Sequence, residues 1–165
     1  MFGVFFNAGR SRQALREAIA QLDDMTPLFT RIGEYVLDET RQRFVSGQAP
    51  DGSRWPAKSE ATLERYRRLG YGSRNRPLIG PGRRLSREIQ RMVSRDGVVI
   101  GSSLIYSRVM QEGAAKGAFG SDRYGRPVPW GRIPARQWLG LSETNDTAIV
   151  GIVEDYLGRV IDAGE

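Results

Sequence analysis

The chain has 165 residues, 39% hydrophobic and 27% charged, a balance that reads as one soluble globular domain with a modest core. It contains no cysteine and no histidine, which excludes disulfides, thiol nucleophiles and thiolate or imidazole metal sites, and with them the serine–histidine and cysteine–histidine hydrolases. The net charge is +6, and Lys58 and Lys116 are the only lysines among 25 basic residues, so 23 arginines set the electrostatics.

In chain order, Phe2 to Phe6 is a weak strand candidate. This N-terminus lacks the basic flank and cleavage site of a signal peptide, and no apolar run is long enough to span a membrane. Ser11 to Leu22 reads as a helix with Ala14, Leu15, Ala18, Ile19 and Leu22 on one side. Thr26-Pro27 is a helix start, a capping hydroxyl followed by proline at the first helical position. Leu28, Ile32, Tyr35, Val36 and Phe44 then mark a long amphipathic helix that Gly47 ends. Glu34 and Asp38 lie four apart on it, and two carboxylates make a solvated helix face rather than a cation site, which needs several converging oxygens.

Pro50-Asp51-Gly52-Ser53-Arg54-Trp55-Pro56 is a rigid turn that carries a large apolar ring. Trp55 reads either as a lid on the domain's own core or as a knob into a neighbour. Ser59 to Leu69 is a helix with Leu63 and Tyr66 on one side and Arg65, Arg67 and Arg68 as a basic face. Those arginines suit DNA phosphates or simply solubilise the helix. Gly80-Pro81-Gly82-Arg83-Arg84 resembles a phosphate cradle but lacks the ending of a nucleotide loop, so it reads as a turn that starts a short helix, Arg84 to about Gln90. Arg95-Asp96-Gly97 between apolar runs predicts a hairpin. Leu104 to Glu112 reads as helical, up to Gly113.

Ala114 to Pro129 is a glycine-rich loop, with Lys116, Arg123 and Arg126, of a length that is usually functional or ordered by a partner. Asn145 to Asp162 is the last helix, with Ile149, Ile152, Val153, Tyr156 and Val160 on one stripe. Several helices with a small antiparallel sheet define an α+β domain spanning 1–165, with the extended loop at about 114–129.

The charge is unevenly placed. From Arg54 to Arg95 twelve basic residues face Glu60, Glu64 and Glu88, a net of +9; from Leu139 to Glu165 six acidic residues face Arg159 alone, a net of −5. Such a basic middle and acidic tail attract each other within a chain or between copies.

The order of the motifs resembles the phage virion morphogenesis family, or tail-completion proteins, of Mu-like and related tailed phages. The resemblance rests on Pro50-Asp51-Gly52-Ser53-x-Trp55-Pro56, then Thr62 with Arg65, then Leu78 with Gly82-Arg83-Arg84-Leu85. It continues through Tyr106-Ser107, Met110-Gln111-Glu112-Gly113, Ile133-Pro134-Ala135-Arg136 and Trp138-Leu139-Gly140-Leu141-Ser142, covering roughly residues 33–158. Arg65 stands where the family has lysine, Ser107 where it has alanine and Met110 where it has histidine.

The resemblance implies a structural, non-enzymatic subunit of the phage neck or tail end, with no catalytic residue, cofactor or metal. It implies a homo-oligomeric ring, commonly a hexamer, in contact with other neck and tail proteins and with passing duplex DNA, and no membrane partner. Pro50, Asp51, Gly52, Trp55, Ile133, Pro134, Arg136 and Trp138 are the candidates for subunit interface or packing. Arg65, Arg67, Arg68, Arg83 and Arg84 are the candidates for a DNA channel or an acidic partner. A sequence-independent nucleic-acid-binding module is the competing reading.

Overall fold

A computed structural model describes Gln13, Arg16, Ile19 and residues 22–162. The strand candidate at Phe2 to Phe6 lies outside the described residues. Of the first predicted helix, Gln13, Arg16, Ile19 and Leu22 are described and helical; the rest lies outside.

From Thr26 onward the elements are α1 (Thr26–Ser46), α2 (Glu60–Arg68), α3 (Arg84–Arg87), β1 (Ile89–Val93), β2 (Val98–Ser102), α4 (Ser107–Glu112) and α5 (Glu143–Asp162). β1 and β2 pair with each other, so the protein is α+β. The chain forms two compact units. The larger comprises 36–91 and 100–142; the smaller takes the described residues up to Tyr35, 92–99 and those from Glu143 on.

α1 starts where Asp24 Oδ1 accepts the Thr26 N–H at 3.0 Å, so a carboxylate rather than the Thr26 hydroxyl serves the first amide. The helix buries Leu28, Val36, Thr40 and Phe44 at helical spacing. Thr40 is polar and fully buried, and its hydroxyl donates to Val36 O at 2.7 Å, as an enclosed hydroxyl requires. Gly47 follows in the left-handed region at φ 74°, donating its N–H to Arg43 O. Ser59 caps α2 by accepting from the Thr62 N–H.

The short helix predicted to reach Gln90 stops at Arg87, and Ile89 instead opens β1. Ile89 to Val93 pairs across the Asp96-Gly97 turn with Val98 to Ser102, and strand pairing outweighs helical spacing there. Ser94 N donates to Gly97 O at 2.8 Å to close that turn.

The segment 114–133 carries backbone hydrogen bonds of its own. Ala114 and Ile133 exchange two, Phe119 N donates to Val128 O, and Val128 N to Gly120 O. Asp122 accepts from Arg126 at 2.7 Å near the tip. The stretch expected as a loop is therefore a ribbon folded back on itself, although it holds only isolated bridges rather than strands.

The core of the larger unit is Phe44, Ala49, Trp55, Leu85, Ile89, Leu104 and Trp138. In α5 of the smaller unit Val160 is buried and Ile149, Ile152, Val153 and Tyr156 are half-buried, the face that the sequence pattern marks. Within the same unit Asn145 is buried and donates to the Tyr35 hydroxyl at 3.0 Å.

Candidate functional site

Two motif segments far apart in sequence lock together in the larger unit. The first is the turn after α1. Gly52 N donates to Ala49 O, Pro50 supplies the fixed φ between them, and Gly52 takes φ 80°. Asp51 Oδ1 accepts from the Ser53 N–H at 2.9 Å and the Ser53 hydroxyl at 2.6 Å. The Ser53 hydroxyl, then its amide, hold the Asp51 carboxyl below the ordinary carboxylate range. Trp55 N donates to Gly47 O, which returns the chain beside the end of α1 and turns the indole inward.

The second segment, Ile133 to Gly140, closes over that turn. Trp55 Nε1 donates to Gln137 O at 2.9 Å. Arg136 is buried; its Nε donates to Pro56 O at 2.7 Å and its second guanidinium nitrogen to Ala57 O at 2.8 Å. Burial pushes its pKa down, yet arginine stays charged at any working pH, so the fork remains a double donor. Arg43, also buried, donates to Gly140 O at 2.6 Å. A Cβ on Gly140 would stand 2.9 Å from Pro50 Cγ, so only glycine lets the second segment approach the first so closely. Trp138 is buried, with its Nε1 donating to Ser107 O at 3.1 Å.

Gln111 completes the lock. Its Oε1 accepts from the N–H groups of Trp138 and Leu139 at 2.9 and 3.0 Å, and its Nε2 donates to Leu139 O at 2.7 Å. Gly113, at φ 77°, ends α4; a Cβ there would lie 2.7 Å from both Ala135 N and Ile133 O. The Gln111-x-Gly113 spacing thus serves backbone pinning and close approach.

Beside this lock lies a cavity of about 590 Å³, with Lys58, Arg83, Arg84, Arg132 and Arg136 in its wall and no acidic residue among those lining it. Tyr66, Leu78, Leu85, Tyr106 and Met110 supply its apolar surface. Lys58 Nζ donates to Arg74 O at 2.5 Å and Ile79 O at 2.6 Å and sits 4.6 Å from the Tyr66 ring centre. A compact ammonium can serve two carbonyls and a ring face at once. Burial, then the charges of Arg136 and Arg74, push the Lys58 pKa down.

The structure therefore brings Arg83, Arg84, Ile133, Pro134 and Arg136 to one wall and places Trp55 and Trp138 in the core. Pro50 is half-buried, and Asp51 and Gly52 are exposed at the turn. Arg83 adopts φ 53° and Arg84 pairs with Glu88 at 2.8 Å. α3 is a four-residue turn of helix, too short to serve as a phosphate cradle. Arg65, Arg67 and Arg68 do not line this cavity. All three are exposed on α2, with Arg67 paired to Glu60 at 2.7 Å.

Lys58 and Arg132 escape sequence reading as parts of a site, and Gln111 is legible there only as a member of a motif, because each owes its role to residues distant along the chain. A lone lysine in an arginine-rich stretch is the one faint signal. Among the described residues no cluster of three acidic side chains is placed to hold a metal, and Asp38 instead pairs with Arg41 at 3.5 Å.

The larger unit thus combines interlocked rigid turns with a cation-lined cavity and an exposed arginine face. The chain belongs to the phage virion morphogenesis family, whose model matches residues 7–158. It is a structural protein of phage morphogenesis, associated with the virion. No curated protein and no solved structure matches it. No helix among the described residues is long and apolar enough to cross a membrane.

Proposed function

We propose that the protein completes the tail and joins it to the head as one subunit of a closed ring at the neck or tail end, and that it works by binding rather than by catalysis. The observation that carries this reading is the combination of a rigid internal lock with apolar and cationic surfaces left outside it. Trp55, Trp138, Arg43 and Arg136 are all spent on the fold itself. In contrast Phe119, Tyr124, Trp130 and Ile105 are 56 to 95% exposed, more large apolar surface than a subunit working alone needs. A ring subunit meets its neighbours through two different surfaces, and stiff elements lose little entropy on docking. The test is a phage with this gene silenced. Filled heads and separate tails that fail to join, rescued by adding the purified protein, are the expected result; normal infectious particles would refute the reading.

A sequence-independent nucleic-acid-binding module is the second reading, favoured by the exposed Arg65, Arg67 and Arg68 on one short helix. It predicts duplex affinity that falls steeply with salt in the isolated protein.

A further inference from the structure

α5 carries a second face that is exposed among the described residues. Val150, Leu157 and Ile161 are 54, 38 and 66% exposed, and Glu154 is exposed among them. These four residues follow one another at spacings of four, three and four, so they form one stripe on the helix. Glu143 and Asp146, both exposed, extend the stripe toward the N-terminal end at the same spacing. The result is a ridge of aliphatic and carboxylate side chains.

The cavity of the larger unit has the opposite chemistry. Five cations and no anion line it, over an apolar surface that includes Leu78, Leu85 and Met110. Arg84 is held by Glu88 and Arg136 by two carbonyls, which leaves the exposed Arg83 and Arg132 to meet an incoming carboxylate. A phosphate backbone would use the cations and leave the apolar surface uncovered; an acidic, aliphatic helix uses both.

We propose that the stripe of α5 on one copy seats in this cavity on a second copy, so that copies join head to tail. The inference rests on the self-assembly part of the proposed function and names the two surfaces involved. The stripe and the cavity are different patches, which makes the contact heterologous, the kind from which rings close.

The chain has no cysteine, so single introduced cysteines report the contact directly. Full-length Thr62→Cys, at the cavity wall, is mixed with full-length Glu154→Cys under mild oxidation. Thr62→Cys with Asp38→Cys, another exposed acidic helix position, is the control. The proposal expects the first pair to cross-link about tenfold faster or more, because docking raises the effective concentration of the two thiols. Adding Arg83→Glu and Arg132→Glu to the Thr62→Cys protein should remove the excess. Equal rates for the two pairs, or an excess that survives the charge reversal, would overturn the proposal. Sedimentation of the untreated protein separates the two ideas. Closed rings without preferred cross-linking end this inference and leave the ring reading standing, whereas preferred cross-linking in open, growing chains does the reverse.

Discussion

Phe44 and Trp55 meet edge to face, with ring centroids 5.3 Å apart and 69° between their planes. One ring comes from the last turns of α1 and the other from the rigid turn that follows, so the contact fixes how the chain leaves the helix. Trp138 lies 6.2 Å from the same Phe44 ring, which makes Phe44 the meeting point of both motif segments. Trp55→Ala and Trp138→Ala should each cost about 3–5 kcal/mol in the larger unit, as deletion of a buried aromatic does. The double variant should lose less than the sum, since the two share a partner. Thermal melts of the purified variants check this; unchanged melting for both would remove the indoles from the core.

Arg136→Lys should destabilise by about 1.5–3 kcal/mol, because an ammonium cannot reproduce the fork that serves Pro56 O and Ala57 O together. Denaturant titration gives the value. A neutral Arg136→Lys would mean that the two carbonyls are satisfied by other donors.

Gln111→Glu replaces the amide that donates to Leu139 O with an acceptor, while the Trp138 and Leu139 amides keep theirs. It should cost less than Gln111→Met, which leaves both amides and the carbonyl unpaired; each unpaired group costs about 1–3 kcal/mol. The reverse order in denaturant midpoints would refute the proposed role of the side-chain oxygen.

Asp51 gives a pH signature. Its folded pKa is depressed by the Ser53 hydroxyl and amide, so its contribution is complete above the ordinary aspartate value near pH 4 and is lost as pH falls through the folded value. Asp51→Asn should therefore flatten the acid side of the stability profile and leave its slope above pH 5 unchanged. A difference in slope confined to neutral pH would contradict that cause.

Reversing Arg65, Arg67 and Arg68 to glutamate should leave the melting temperature within a few degrees, because all three side chains are exposed on α2, while impairing particle assembly or genome retention. Wild-type phage yield would reduce this face to solvated surface.

Much of this molecule is legible one element at a time. The spacing of Leu28, Val36 and Phe44 gives α1 its buried face, Gly47 its end, Ser59 the start of α2 and Asp96-Gly97 the hairpin turn. Each is local, decided within a few residues. The miss at Ile89 comes where helical and strand periods both fit a short apolar run and only pairing with β2 decides. The ribbon at 114–133 hides behind its glycines, because its hydrogen bonds join residues up to 19 apart that carry no alternating pattern. The lock itself is legible only as a list of motifs. That Gly140 is required by Pro50, or Gln111 by the Trp138 and Leu139 backbone, depends on contacts between distant segments.

The most direct measurement is a cryo-electron microscopy map of the intact virion, resolved well enough to trace this fold. Several symmetry-related copies closing around the DNA path at the neck or tail end, with Trp55 inside each subunit, are the predicted result. A single copy, or a position outside the neck and tail, would contradict the proposed role.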